Sequence, residues 1–299
     1  MRSGYQVGRA VFRLDQNGDA IAAWLEGKER EVRAAWFRPA TGWGAVVPLG
    51  PSRLAADTLR VSIDGRGHAI VAWADPGDGL WAALGNAAGG FRPPAMFASM
   101  RRGGGLFDLA QEPAGRAIVA WRDTDDRNFD VRAILYHPSA GFGTPAVLPH
   151  ALGTDLPWTG PPAVAIDRLG NAFVLWSDHA LSNIVHECRY VAGQGWQAVN
   201  RLEMPQRSAD SDTISVAVDG FGHATATWRK KASDSNLVSP WAARFVPGVG
   251  WGQPTRLEQA NQRLSFWVAL AVSYGGRAVS AWSHGVEQGP GTIRGAFWE

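Results

Sequence analysis

Seven residues stand out as candidates for chemistry because they break an otherwise regular pattern. They are Trp158, Trp267, Asp57, Arg60, Asp108, Asp155 and Asp212. The two tryptophans offer flat apolar faces that stack on a sugar ring or another planar ligand. The four carboxylates are suited to three tasks: holding sugar hydroxyls, holding a cation, or serving as acid and base. Arg60 and Asp108 occupy equivalent positions where other copies of the pattern have Ala163, Ser215 and Ala269. Charges crowded near a narrow axis must be paired or wetted. Two readings therefore stand, a ligand site and an Arg60–Asp108 ion pair. For Trp158 and Trp267 the alternatives are a ligand platform and an apolar plug.

The pattern they break is a phrase repeated six times. It runs Asp15–Trp24, Asp64–Trp73, Glu112–Trp121, Asp167–Trp176, Asp219–Trp228 and Ser273–Trp282. Each copy keeps Gly six residues before its Trp and Ala four before it. The Trp-to-Trp steps are 49, 48, 55, 52 and 54 residues. A fixed period of about 50 residues is the mark of a repeat architecture.

Each copy reads as four short strands. In the fifth, Ile214–Asp219 alternates, Asp219-Gly-Phe-Gly222 is turn chemistry, and His223–Trp228 alternates again. Trp241–Phe245 is a third strand, Pro247–Gly252 a Gly-aromatic turn, and Gln253–Leu257 an outer strand. No segment has the period of a long amphipathic helix. Six such units predict an all-β, six-bladed propeller of four-stranded antiparallel blades, one domain over residues 1–299. The sixth copy ends on its third strand, and Ser3–Val7 echoes the start of a fourth. The N-terminal strand is therefore expected to complete the last blade and close the ring. The off-pattern residues then gather at one mouth of a central channel.

The phrase Asp-x-x-Gly-(Asn/His)-Ala-x-(Ala/Val)-x-Trp, followed by a third strand and a Gly-Trp turn, resembles repeats of bacterial secreted or surface β-propeller proteins. That resemblance covers nearly the whole chain. It implies the propeller fold and a secreted or cell-surface setting, and is close to silent on activity. The phrase departs from the Asp-box of sialidase propellers, which no copy here matches.

Composition narrows the partners. Twenty-nine basic and 27 acidic residues leave a formal charge of +2, which gives no field for nucleic acid or an acidic membrane. No apolar run approaches the ~18 residues of a membrane span, and no charged-then-apolar leader opens the chain. Cys188 is a lone cysteine on a third strand, expected to be a small buried hydrophobe. His68 and His223 share one slot after the turn, read as solvated. No cofactor is expected. Ca²⁺ has one candidate, the acid-rich segment Asp123–Asp130, which lacks the mid-loop Gly of a helical calcium loop. The expected function is that of a monomeric propeller binding a carbohydrate or other small molecule at one axial site. The alternatives are a hydrolase of glycosides, esters or phosphoesters using channel charges, and a protein-interaction scaffold.

Overall fold

The computed structural model describes residues 10–28, 30–52, 58–75, 79–100, 106–124, 129–149, 160–178, 184–202, 214–231, 238–258, 264–285 and 291–298. Among them there is no helix, and the strands form six antiparallel sheets, one for each copy of the repeated phrase.

Every sheet is built in the same order. The turn phrase joins an innermost strand to a second strand, and the second pairs with a third. In the fourth sheet these are Ala163–Ile166, Ala172–Asp178 and Ile184–Val191. In the fifth they are Ile214–Val218, Ala224–Lys231 and Val238–Val246. The fourth strand is divided in each of the first five sheets. A two-residue rung at the Gly-aromatic pair and a separate outer segment both hydrogen-bond to the third strand. In the fourth sheet Trp196 pairs with Tyr190, and Asn200 pairs with Glu187. The Gly-aromatic pair reads from sequence as a turn alone because its rung is only two residues long. The sixth sheet has three described strands, Leu264–Val272, Ala278–Gly285 and Thr292–Trp298. The expected closure by Ser3–Val7 lies outside the described residues.

The chain divides into two compact units, residues 1–126 with 132–146, and residues 127–131 with 147–299. Within the first, the faces of the first and second sheets bury Ile21, Val32, Trp36, Val71 and Trp73, and those of the second and third bury Leu80, Phe107 and Trp121. Within the second, Phe173, Leu175, Trp228 and Phe245 fill the space between the fourth and fifth sheets. The second-strand tryptophans Trp73, Trp121, Trp176, Trp228 and Trp282 are all buried. Each removes a large apolar area from water, worth about 1.5–3 kcal/mol. Trp43, in the first Gly-aromatic pair, is not part of this core. It is 57% exposed and touches only the edge of Phe37.

The phrase itself is a hydrogen-bonded clamp. Asp64 Oδ1 accepts from the backbone N–H of Arg66 and of His68, both at 2.8 Å. Asp167 and Asp219 repeat those two bonds, and Glu112 keeps them with its two oxygens. The slot read as solvated supplies a further partner. His68 Nδ1 lies 3.1 Å and His223 Nδ1 2.9 Å from their turn carboxylates, and Asn171 Nδ2 donates to Asp167 at 2.8 Å. A donor side chain fills the slot in these copies, whereas the first copy has Asp19 there. Neighbouring turns are stitched by backbone bonds, Gly65 N to Pro113 O in the first unit and Gly220 N to Tyr274 O in the second.

Candidate functional site

The residues expected at the channel mouth are only partly visible. Asp57, Asp155, Trp158 and Asp212 lie outside the described residues. Trp267 sits within Leu264–Val272, at a register shift between Phe266 and Val268. That shift is the signature of a bulge, which accommodates one extra residue on one strand. The Trp267 side chain lies outside the described residues. Arg60 and Asp108 do meet. Arg60 Nε is 3.3 Å from Asp108 Oδ1, and the guanidinium also donates to Leu59 O and lies over the Phe107 ring. These charges are engaged with each other, the ion-pair reading of this pair. Of the acid-rich segment, Asp123 is 2.8 Å from Arg132 Nε. Among the described residues no three His, Cys, Asp or Glu side chains converge as metal ligands.

A different site emerges between the fourth and fifth sheets, inside the second unit. A cleft of about 660 Å³ is lined by Glu187, Arg189 and Asn200 of the fourth sheet and by Phe245, Val249 and Trp251 of the fifth. That volume lies within the roughly 300–1,000 Å³ of small-ligand sites.

Strand period and register build it. Successive side chains of a strand alternate between faces. Val185 packs into the core against the fifth sheet, so Glu187 and Arg189, two and four residues on, turn to the same side. Asn200 pairs with Glu187 across the broken outer strand, which brings its Nδ2 to 3.1 Å from Glu187 Oε2. Arg189 reaches across and places its guanidinium 4.8 Å from the centre of the Phe245 ring. Phe245 in turn meets Trp251 edge-on at 5.7 Å.

The electrostatics are unusual for a strand interior. Glu187 is 1% exposed. Burial pushes its carboxyl above the ordinary range, and the Asn200 amide, the Arg189 charge and the Trp251 indole pull it part of the way back. Trp251 lies near enough to act on that carboxyl, yet its buried Nε1–H completes no hydrogen bond of good geometry. Arg189 acts on Glu187 through its charge, without a direct ion pair among the described residues. The cleft thus gathers a buried carboxyl, a guanidinium and an indole beside an aromatic wall. Behind it, Cys188 is fully buried, and desolvation pushes its thiol up to about 12, which leaves it inert.

Aligning the first five third strands on their Gly-aromatic pairs, and the sixth on its register with the second strand, shows how special this is. The Glu187 position holds Ala34, Ala82, Ala133, Ala242 and Gly295 elsewhere. The Asn200 position holds Val47, Ala95, Ala146 and Thr255. The cleft between the fifth and sixth sheets is the internal comparison. It keeps an arginine, Arg244, but has Ala242 and Thr255, and encloses about 220 Å³. Its arginine is also directed to a turn carboxylate, with Arg244 Nη2 3.5 Å from Asp219 Oδ2. Sequence reasoning passed over Glu187 because it sought departures on innermost strands and loops; the same comparison on third strands finds it.

No family model matches the chain, and no curated protein is similar to it in sequence. Solved structures do resemble it. A polysaccharide lyase, an ulvan lyase bound to -[GlcA(1-4)Rha3S]-, superposes with a TM-score of 0.58 at 13% identity, over 91% of this chain and 79% of that one. The Aleuria aurantia lectin in complex with Fucα1-6GlcNAc gives 0.54 at 11% identity, over 97% and 94%. A further structure of the lectin from that fungus, described as a six-bladed β-propeller with a novel fucose recognition mode, gives 0.50 at 11% identity, over 98% and 95%. At such identities the likeness shows the fold alone. The chain has the fold of a β-propeller.

Proposed function

We propose that this chain is a carbohydrate-binding propeller whose ligand occupies the cleft between the fourth and fifth sheets. The observation that carries the reading is Glu187, a buried carboxyl in a slot that is Ala or Gly in every other copy, facing a cleft that also holds Arg189. A carboxylate accepts hydroxyl donors, a guanidinium donates to hydroxyl and ring oxygens, and an indole covers the apolar face of a sugar. A neutral sugar with adjacent hydroxyls uses all three without leaving a charge buried and unanswered. Support also comes from the fucose-binding lectins and the polysaccharide lyase among the structural neighbours. An extracellular setting of bacterial origin fits this reading. Among the described residues, no helix is long and apolar enough to cross a membrane.

The hydrolase alternative is weaker. Glycoside hydrolysis ordinarily needs two carboxyl groups, and among the described residues lining the cleft Glu187 is the only one. The test is a glycan array followed by calorimetric titration of the strongest neutral hit. Arg189→Ala and Glu187→Gln are expected to weaken that hit at least tenfold. A hit bound equally by both variants removes this cleft from the account. Turnover of chromogenic glycosides that Glu187→Gln abolishes would replace binding with catalysis.

A further inference from the structure

We infer that the first unit carries a second binding site, independent of the carbohydrate cleft and chemically different from it. It takes a small oxyanionic group, a carboxylate or a sulfate, in the cleft between the second and third sheets.

That cleft encloses about 220 Å³ and is lined by Asp64, His68, Arg92, Gln111 and Tyr136, among others. It is smaller than a typical ligand site of roughly 300 Å³ or more, so it suits one charged end of a ligand rather than an extended chain. Two of its residues depart from the repeat. Arg92 follows the Gly-aromatic pair where the other copies have Gly44, Gly143, Gln197 and Gly252. Gln111 closes the innermost strand where they have Leu14, Ile63, Ile166, Val218 and Val272. An aliphatic position turned polar and a small one turned cationic, in the same cleft, is the kind of double departure that marks the other site.

The floor is built and satisfied. Ser62 Oγ donates to Gln111 Oε1 at 2.8 Å, and Gln111 Nε2 donates to Gly115 O at 3.3 Å. Asp64, the one carboxylate here, is fully engaged. Its Oδ1 accepts two backbone N–H groups and its Oδ2 faces His68 Nδ1. Its oxygens are occupied by these donors, although its charge still reaches Tyr136.

The upper part of the cleft is unspent. Among the described residues neither the Arg92 guanidinium nor the Tyr136 hydroxyl makes a hydrogen bond or ion pair. Arg92 lies near enough to Tyr136 for its charge to act on the phenol, opposing the burial and the Asp64 charge that together raise the phenol's pKa. The His68 contact to Asp64 uses Nδ1 and leaves Nε2 facing outward. An arginine fork binds a planar or tetrahedral oxyanion through paired N–H donors, and a phenol adds a third donor. Arg189 has the Glu187 carboxyl beside it, whereas the Arg92 guanidinium has no carboxylate in ion-pair contact among the described residues, so an anion answers its charge better than a neutral hydroxyl does. The chemistry therefore selects for negative charge.

The experiment is calorimetric titration of the full chain with D-glucuronate and with inorganic sulfate, at constant ionic strength, with D-glucose as the neutral control. The expected result is binding of at least one anion and none of glucose at this cleft. Arg92→Ala should weaken the anion at least tenfold, Arg92→Lys should recover part of the loss, and Tyr136→Phe should weaken it several-fold. Arg92 is exposed, so Arg92→Ala is expected to unfold as the wild type does. Glucuronate bound without sulfate assigns the site to carboxylates, and the reverse assigns it to sulfates. Neither anion binding, or Arg92→Ala binding as the wild type does, overturns the inference. Arg189→Ala should leave anion binding unchanged, so failure here and failure of the carbohydrate cleft are separately visible. Anion binding lost in Arg189→Ala and kept in Arg92→Ala would also overturn it.

Discussion

Replacing Asp64 by Ala and, in parallel, Asp15 by Ala separates the hydrogen bonds of the turn from their burial. Both carboxylates hold the same turn. Asp15 Oδ1 accepts from Asn17 N at 2.8 Å and from Asp19 N at 3.0 Å, and Asp64 Oδ1 accepts the equivalent pair at 2.8 Å each. Both belong to the first unit. They differ in surroundings. The Asp64 side chain is 2% exposed, faces His68, and lies under Gly115, whereas Asp15 is half-exposed. A net hydrogen bond to a charged acceptor is worth about 1.5–3 kcal/mol, and water recovers most of that where it can reach the donors. Asp15→Ala should then cost about 1 kcal/mol, the scale of a lost solvent-exposed cap. Asp64→Ala loses two charge-assisted bonds at a site closed to water and should cost about 3–4 kcal/mol. Asp64→Asn keeps the oxygen that holds both N–H groups and should cost about 1 kcal/mol. Urea unfolding followed by far-UV circular dichroism reads all three, with the slope checked for a change in the transition itself. Equal costs for Asp15→Ala and Asp64→Ala would refute the argument that burial, not bond count, sets the value of these turns.

Other expectations follow from single contacts. Gly115 has φ +99°, and a Cβ there would stand 2.8 Å from Asp64 Oδ2; Gly115→Ala should destabilise by about 2 kcal/mol or more in the same urea assay. Trp121→Ala, from a side chain with no exposure, should cost about 3–5 kcal/mol, while Trp43→Ala at 57% exposure should cost under about 1 kcal/mol; similar values would contradict the burial assignment. Glu187 titrates above the ordinary carboxyl value of 4.5 because it is buried. The folded state therefore holds that proton more tightly than the unfolded chain, and the carboxyl costs stability as pH rises above 4.5. The gap between Glu187→Gln and wild type should grow in favour of the variant from pH 4.5 upward, and a gap that shrinks has the wrong sign.

The repeat made the fold legible because one physical constraint recurs in every copy. An oxygen acceptor that clamps the turn, a carboxylate in five copies and the Ser273 hydroxyl in the sixth, a glycine at positive φ such as Gly67 or Gly222, and a second-strand tryptophan must keep their spacing. The divided outer strand was not legible, since two residues such as Gly195 and Trp196 carry no alternation. The site was legible only through a comparison across copies. Arg60 and Asp108 stood out as charges, yet they meet each other. Glu187 reads as an ordinary strand residue in Val185–Tyr190 until that strand is set against five others with Ala or Gly at its place. Its meaning also depends on Asn200 and Trp251, which reach it through cross-strand register and sheet packing, neither of which appears in linear spacing.

The most direct measurement is a crystal soaked with the best neutral glycan from the array. Density for a sugar bonded to Glu187 and Arg189 and resting against Trp251 is the predicted result. Density for that glycan at another place, with the space between the fourth and fifth sheets empty, would contradict the account.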